Sequence, residues 1–288
     1  MKRYKAIFFD WDGTAVTSRT APTDAIVKAM VPLLDAGVRL AIISGTTYDN
    51  IAGGNLHRCF TSAQLNYLYL GLGRGALDYG FTNGDPVVLH SRIPETEGIL
   101  HIHDVCYRIH RLLLEKYQIN TDIVFSRPNY CKIDLLTNQD RGESLFLQAG
   151  EVALLDTVLH DHGIDGAKYL IELAESFGTS DDPLKATTDA KYLEVGSTGK
   201  CDNVDAFMEL FSSDIRPEDC CFWGDEFVGV SDQVFGSDSG MITARTCMGD
   251  FFDVSDLSGD RPMGVCHLGG GVNRFLQFLD EQSTGTII

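Results

Sequence analysis

The stretch AIFFDWDGT, residues 6–14, runs from four apolar side chains into two carboxylates and a glycine. The apolar run predicts a buried strand, and Gly13 lets the chain turn after it. Two carboxylates at the end of a buried strand are costly unless a cation binds between them, and Mg2+ is the common choice where phosphate is handled. Asp10 would then be a carboxylate nucleophile, and Asp12 a general acid over the same centre. A plain turn rich in Asp and Gly is the alternative explanation.

A second strand, VRLAII at residues 38–43, follows after a helix and ends in Ser44 and Gly45. The intervening residues 23–36 carry apolar side chains at helical spacing, so the segments predict a parallel strand–helix–strand unit. Ser44 would therefore lie at the same sheet edge as Asp10, which is where open α/β sheets bind ligands. A hydroxyl followed by glycine at the start of a helix suits a phosphate group. Ser44 as a simple N-cap of that helix is the other interpretation.

The motif DWDGT at residues 10–14 resembles the first motif of the haloacid dehalogenase-like (HAD) superfamily, and Ser44 stands where that family has its second motif. The resemblance implies an α/β fold with a Rossmann-like parallel-sheet core, in a family whose members are mostly Mg2+-dependent phosphatases. It also implies that Asp10 forms an aspartyl-phosphate and that Asp12 acts as acid and base. Ser44 and Gly45 would bind the phosphoryl oxygens.

The segment GSTGK, residues 196–200, opens a helix with one apolar face. It is not a Walker P-loop, because the first glycine of that spacing is missing and no hydroxyl follows the lysine. The helix macrodipole opposes a lysine at a helix start, so Lys200 is better explained by carboxylates or phosphate nearby. In the resembled family a lysine at this place is the third motif, which implies that Lys200 restrains charge on Asp10 and on the phosphoryl group. An exposed linker lysine is the alternative.

The segment CCFWGDE, residues 220–226, repeats the opening pattern of an apolar strand followed by acids. Asp225 is expected to join Asp10 at the metal site, and the segment resembles the fourth motif of the HAD superfamily. The second acid of this motif could be either Glu226 or Asp232. Asp232 is preferred, because in phosphomannomutases the second acid also follows the first after a longer loop. The predicted metal ligands are Asp10, Asp225, Asp232 and the backbone carbonyl of Asp12.

A second module is predicted between the second and third motifs, because the chain there has its own mixture of helices and strands. A hairpin turn is expected at residues 83–85. The predicted elements after it are helices at 99–117 and 147–159, strands at 123–126 and 131–137, and further segments at 169–173 and 192–195. The predicted domains are a core of residues 1–88 and 190–288 and an inserted module of residues 89–189.

The position of this module is similar to that of the C2-type cap in Cof-type sugar phosphatases and phosphomannomutases, which implies that it selects the substrate. Residues 126–132, SRPNYCK, resemble the cap strand that grips the distal part of a sugar phosphate. Arg127, Lys132 and Arg141 are the candidate cations, with arginine the better fit to a planar anion. Solvated charges on a strand edge are the alternative.

The composition limits the class of protein. A chain of 288 residues with 44% apolar content is long enough for two domains and can bury a sizeable core. The net charge of −18 argues against nucleic acid and anionic membrane surfaces as partners. The N-terminus lacks the apolar region of a signal peptide, and the eight scattered cysteines favour reduced thiols, so a cytoplasmic location is expected. The expected partner is a small phosphorylated molecule.

The motifs together predict a Mg2+-dependent phosphatase that hydrolyses a small phosphorylated metabolite, a sugar phosphate, through an aspartyl-phosphate on Asp10. A phosphomannomutase-like phosphosugar mutase would use the same core and return the phosphoryl group to the sugar. A phospho-accepting switch domain and a binding protein without catalysis are two further alternatives. The inserted module disfavours the switch, and the intact motif residues disfavour the loss of catalysis.

Overall fold

The computed structural model describes residues 2–125, 127–142 and 147–284, which form a large sheet, a small sheet, a short hairpin and seven α-helices. The helices are α1 (Asp24–Asp35), α2 (Ser62–Leu65), α3 (Thr96–Glu115), α4 (Glu151–Asp161), α5 (Gly166–Glu175), α6 (Lys200–Phe211) and α7 (Gly271–Thr284). The strands are β1 (Ala6–Phe9), β2 (Arg39–Ile43), β3 (Leu68–Leu72), β4 (Leu77–Thr82), β5 (Asp85–Ser91), β6 (Asp122–Val124), β7 (Tyr130–Asp134), β8 (Lys185–Thr188), β9 (Tyr192–Gly196), β10 (Cys220–Gly224), β11 (Gly229–Ser231), β12 (Val234–Phe235), β13 (Asp250–Asp253) and β14 (Val265–His267). None of these helices is long and apolar enough to cross a membrane.

The large sheet has the strand order β14-β13-β10-β1-β2-β3-β4-β5 and is parallel from β14 to β3. Its central strands are continuous apolar runs because helices cover both faces. Alternate side chains of β1 enter the two layers: Phe9 packs on Phe275 of α7, with ring centres 5.0 Å apart, and Phe8 packs on Phe211 of α6 at 6.1 Å. The predicted α/β fold with a parallel-sheet core is confirmed.

The predicted strand–helix–strand unit is also present. β1 pairs in parallel with β2 on one side and with β10 on the other, and α1 connects β1 to β2. Parallel neighbours have their carboxyl ends at the same edge of the sheet. Asp10, Ser44 and Asp225, the first polar residues after these three strands, therefore come to one edge.

An antiparallel hairpin, β4–β5, extends the large sheet on one side. Its turn residues Asn83 and Gly84 have φ of +55° and +93°, as a two-residue type I′ turn requires. The turn predicted at residues 83–85 is confirmed. Because β5 runs to Ser91, the core extends beyond the predicted boundary at residue 88.

The inserted module lies between β5 and α6. Its antiparallel sheet has the order β6-β7-β9-β8, and α3, α4 and α5 share an apolar core with it. The predicted segment at residues 169–173 is part of α5. The module does not end at the predicted residue 189, because β9 pairs with β7 over five residues and stays in the small sheet up to Gly196.

The hairpin β11–β12 follows the fourth motif in sequence but packs on the module. Val230 and Val234 belong to the apolar cluster that the module's helices and sheet form. The hairpin therefore joins the sheet edge of the core to the module.

Candidate functional site

Two of the predicted acids meet a third at the carboxyl edge of the large sheet. Asp10 follows β1 and Asp225 follows the neighbouring parallel strand β10. Asp238, in the short 3-10 turn of residues 237–241, completes a cluster in which one oxygen of each carboxylate lies within 4.8 Å of the others. Asp10 and Asp225 are each 7% exposed, and Asp238 is fully buried.

The ammonium group of Lys200 lies between two of these carboxylates. Its Nζ is 3.0 Å from Asp10 Oδ1 and 2.6 Å from Asp238 Oδ1. Lys200 is the first residue of α6, so its side chain reaches the cluster from the start of that helix. The prediction that carboxylates offset a lysine at this helix start is confirmed, and the exposed-linker alternative does not hold.

One lysine does not balance the acidic cluster. Burial raises the pKa of Asp10, and repulsion from Asp238 and Asp12 adds to the effect, although Lys200 opposes it. Burial and repulsion from Asp238 also raise the pKa of Asp225 well above its ordinary value. A divalent cation with oxygen ligands would compensate for the excess negative charge, so the donor set fits Mg2+.

Thr14 and Gly13 show why the first motif contains these two residue types. Thr14 Oγ1 donates to Asp225 Oδ1 at 2.9 Å, so the first motif orients an acid of the fourth. Gly13 has φ of +86°, and a Cβ there would collide with the Asp225 carboxylate. A plain turn would need neither contact.

Asp12 lies beside the cluster and is held by an arginine. Arg19 Nε donates to Asp12 Oδ2 at 3.0 Å. The other oxygen, Oδ1, is buried and has no hydrogen-bond partner among the residues that the structure describes. Asp10, Asp12 and Arg19 line one cavity, so Asp12 is placed to exchange a proton with a group bound there.

Ser44 and Gly45 line the same cavity, and Ser44 is 3% exposed. Ser44 Oγ accepts a hydrogen bond from the backbone N–H of Thr46 at 3.3 Å. Instead of the helix expected directly after Ser44, residues 48–50 form a single 3-10 turn with Thr47 as its N-cap. Ser44 is therefore not a helix N-cap.

The cavity is lined by the core on one side and by the inserted module on the other. Its volume is about 80 Å³. This volume is small beside the roughly 300 Å³ at which sites for drug-sized ligands begin. The lining residues of the module are Tyr130, Lys132, Thr187, Thr188, Asp189 and Glu194.

No protein-family model and no curated protein matches this sequence. Solved structures match it in fold. A truncated IMP-nucleotidase of Plasmodium falciparum with bound IMP has a TM-score of 0.62 and 12% identity, over 98% of this chain and 68% of that one. The chain shares its fold with this nucleotidase. The trehalose-6-phosphate phosphatases of C. albicans (C-terminal domain) and Aspergillus fumigatus have TM-scores of 0.58 and 0.53 and identities of 14% and 15%, each over 98% of this chain and 93% of theirs. The α/β fold expected from the sequence is thereby confirmed.

The second acid of the fourth motif differs from the prediction. Asp232 is exposed in the turn between β11 and β12, and Asp238 occupies the place in the cluster. The reason is the hairpin, which leads residues 229–235 onto the module before the chain returns to the sheet edge. Glu226 lines the cavity outside the cluster, accepts a hydrogen bond from Ser237 at 2.7 Å, and donates its backbone N–H to Asp238 at 2.8 Å.

The structure brings one of the three cations predicted in the module into the cavity. Lys132 lines it, and its Nζ lies 2.5 Å from Glu194 Oε1. Arg141 is instead held in buried ion pairs with two carboxylates of the module, both at 2.6 Å, which occupy its guanidinium. Arg127 lines a neighbouring pocket. Arg141 and Arg127 therefore do not reach this cavity.

Two further cations of the cavity were missed by sequence reasoning. Arg19 lies in the loop after the first motif, and Arg74 lies in a glycine-flanked turn after β3. Neither follows an apolar strand directly, so the pattern that indicated Asp10 and Asp225 gave no signal for them.

Proposed function

We propose that this chain is a Mg2+-dependent phosphatase that hydrolyses a small phosphorylated metabolite, a sugar phosphate, through an aspartyl-phosphate on Asp10. The observation that carries the proposal is the buried cluster of Asp10, Asp225 and Asp238 with Lys200 between two of its members. This set offers oxygen ligands for Mg2+ and a cation for phosphoryl oxygens. The proteins of similar fold support it, being an IMP-nucleotidase and trehalose-6-phosphate phosphatases.

The three carboxylates, with the backbone carbonyl of Asp12, would hold Mg2+. When bound, the ion would neutralise charge on the phosphoryl oxygens. Lys200 would place a second positive charge at the same group, since it already contacts Asp10. Ser44 and Gly45, at the edge of the cavity, would donate to the phosphoryl oxygens.

Asp10 would attack phosphorus with a carboxylate oxygen, and the bond from phosphorus to the leaving oxygen would break. Asp12 would protonate that leaving oxygen and later take a proton from the water that hydrolyses the aspartyl-phosphate. Arg19 would keep Asp12 in place for both transfers, because it holds one of its two oxygens. The carboxyl group of Asp12 therefore supplies the first proton and accepts the second.

The inserted module would act as a C2-type cap that selects the leaving group. The side chains by which it lines the cavity are mainly polar. A polar wall suits the hydroxyl groups of a sugar, which is why a sugar phosphate is preferred here over an apolar ester.

The test is release of inorganic phosphate from a panel of sugar phosphates and IMP, with Mg2+ and with EDTA. Release that requires Mg2+ is the expected result. Hexose phosphate isomerisation in the presence of a hexose bisphosphate, without phosphate release, would indicate the mutase instead. Absence of Mg2+ binding and of turnover would contradict the proposal and leave a non-catalytic binding protein.

The variant Asp10→Asn removes the nucleophile while keeping its shape. Turnover should fall at least about 10³-fold, because the covalent step is lost. Circular dichroism should be unchanged, and Asp232→Asn, an exposed acid outside the cluster, is the matched control that should retain activity. Wild-type turnover in Asp10→Asn would refute the role of Asp10.

A further inference from the structure

Arg74 is a buried cation of the cavity that the proposed reaction does not use. It lies between Gly73 and Gly75 and has φ of +55°, a left-handed conformation that residues other than glycine adopt rarely. Its side chain is 5% exposed although it comes from a turn. A strained backbone and a buried guanidinium both cost stability, and such costs are concentrated at ligand sites.

The guanidinium group of Arg74 contacts the module and not the catalytic carboxylates. Nε lies 3.4 Å from Glu194 Oε2, Nη2 donates to the carbonyl oxygen of Lys185 at 3.3 Å, and the group lies 5.6 Å from the centre of the Tyr130 ring. The two polar distances are long for a charged donor. Nη1 is buried and has no hydrogen-bond partner in the described part of the chain. One nitrogen of the guanidinium, Nη1, is therefore left without an acceptor within that part of the chain.

The backbone of Arg74 is fixed beside the phosphoryl site. Its N–H donates to the carbonyl oxygen of Ser44 at 3.3 Å, and its own carbonyl oxygen accepts from Thr198 Oγ1 at 2.8 Å. The side chain leaves this anchored turn toward the module. A substrate whose phosphoryl group lies at Asp10 and Ser44 would have its leaving group on that side of the cavity.

The groups around Arg74 indicate which leaving group fits. Lys132 and Arg74 share Glu194. Burial raises the pKa of that carboxyl, but Lys132, Arg74 and Lys200 together lower it to below its ordinary value, so it stays ionised. Asp189, a second acceptor in the cavity wall, is paired with Arg141. A further anion would lie against two carboxylates, whereas a hydroxyl accepts from the arginine and donates to a carboxylate.

We propose that Arg74 is a specificity-determining residue whose Nη1 donates to a hydroxyl oxygen of the leaving alcohol, so that the substrate is the phosphate of a neutral polyhydroxyl compound. This inference rests on the proposed function, because the phosphoryl site defines where the leaving group lies. It excludes phosphorylated acids and bisphosphates as preferred substrates.

The test measures the binding of phosphate esters, and not their turnover. Isothermal titration calorimetry is carried out on the Asp10→Asn variant in the presence of Mg2+. The probes are matched by length: glycerol 3-phosphate, 3-phosphoglycerate and propyl phosphate, then sorbitol 6-phosphate, 6-phosphogluconate and hexyl phosphate. Inorganic phosphate is the probe without a leaving group. A second protein carries Arg74→Gln in addition to Asp10→Asn. The control protein carries Arg39→Gln instead, because Arg39 pairs with the exposed Asp214 away from the cavity.

At one length or both, the polyol phosphate should bind at least about tenfold more tightly than the alkyl phosphate and the acid. Arg74→Gln should weaken the polyol phosphate about 10- to 100-fold, the range of a hydrogen bond to a charged group, and should change inorganic phosphate less than about threefold. Arg39→Gln should change neither. Glu194→Gln should improve binding of the acid, because it removes a carboxylate that repels it.

Several results would overturn the inference. Equal weakening of polyol phosphate and inorganic phosphate by Arg74→Gln would make Arg74 a ligand of the phosphoryl group. Tighter binding of the acid by the parent variant would show an anion subsite. If inorganic phosphate binds but no polyol phosphate binds more tightly, this inference fails alone. If inorganic phosphate with Mg2+ binds neither to the Asp10→Asn variant nor to the unaltered protein, the proposed function fails with it.

Discussion

Lys200 has its ammonium group buried between two carboxylates, so its removal leaves acids without their cation. Lys200→Met should lower the free energy of unfolding in EDTA by about 3 kcal/mol or more, because breaking a buried ion pair leaves uncompensated charge. Added Mg2+ should restore part of the loss. The control is Lys5→Met, because the exposed ion pair of Lys5 with Asp219 is screened by solvent and should contribute much less to stability. Urea unfolding measures both, and an equal effect would contradict the role given to Lys200.

The structure assigns Asp238 to the metal cluster, whereas the sequence analysis preferred Asp232, and variants of these two residues distinguish the assignments. Asp238→Asn should weaken Mg2+ binding at least about tenfold, since a carboxylate in the cluster is lost. Asp232→Asn should leave the affinity unchanged, because that side chain is exposed in the hairpin turn. Isothermal titration with Mg2+ compares the two, and the reverse order would restore Asp232 as the ligand.

The turn after β3 is packed directly on the start of α6. Gly75 has φ of +97°, and a Cβ there would collide with the backbone of Gly199, the residue that precedes Lys200. Gly264 has a similar φ of +92° but no atom near a Cβ. Both alanine substitutions carry the cost of the left-handed conformation, of about 1 kcal/mol.

Gly75→Ala should therefore destabilise the protein by about 1–3 kcal/mol more than Gly264→Ala, because backbone cannot rotate away as a side chain can. Urea unfolding of the two variants gives the difference. Equal losses would mean that the turn is not held against α6, and that Arg74 is not positioned by it.

The hairpin β11–β12 serves two parts of the protein. It contributes Val230 to the apolar core of the module, and its length determines that Asp238 and not Asp232 reaches the sheet edge. The fourth motif is thus a strand end plus a returning loop, and the loop is anchored by the module.

The whole molecule carries a net charge of −18, and the acidic cluster adds local repulsion to it. In EDTA, raising NaCl from about 0.01 M to about 0.15 M shortens the Debye length from about 30 Å to about 8 Å. The melting temperature should rise, because screening weakens the self-repulsion of the folded state. Differential scanning fluorimetry measures it, with choline chloride as the control for specific sodium binding. A fall would mean that surface ion pairs outweigh the repulsion.

The local sequence was sufficient to predict the residues at the carboxyl edge of the first two strands. The apolar runs before Asp10, Ser44 and Asp225 predict strands, and the helix between the first two strands makes them parallel. Side chains that directly follow parallel strands meet at one edge wherever the rest of the chain goes. For this reason the fold class and the positions of Asp10 and Ser44 could be predicted from the local pattern, whereas Asp225 was placed beside them by the resemblance of its segment to the HAD motif.

Residues placed by loops and by the module could not be predicted in this way. Asp238 reaches the cluster only because a hairpin packs on the module, and a loop of that kind has no fixed spacing from its strand. Arg74 matters because Glu194 and Tyr130, distant in sequence, enclose its guanidinium. Strand β9 belongs to the small sheet because it pairs with β7, and the apolar pattern of β9 does not specify that partner. Long-range packing decides such contacts, and no local pattern of side chains encodes them.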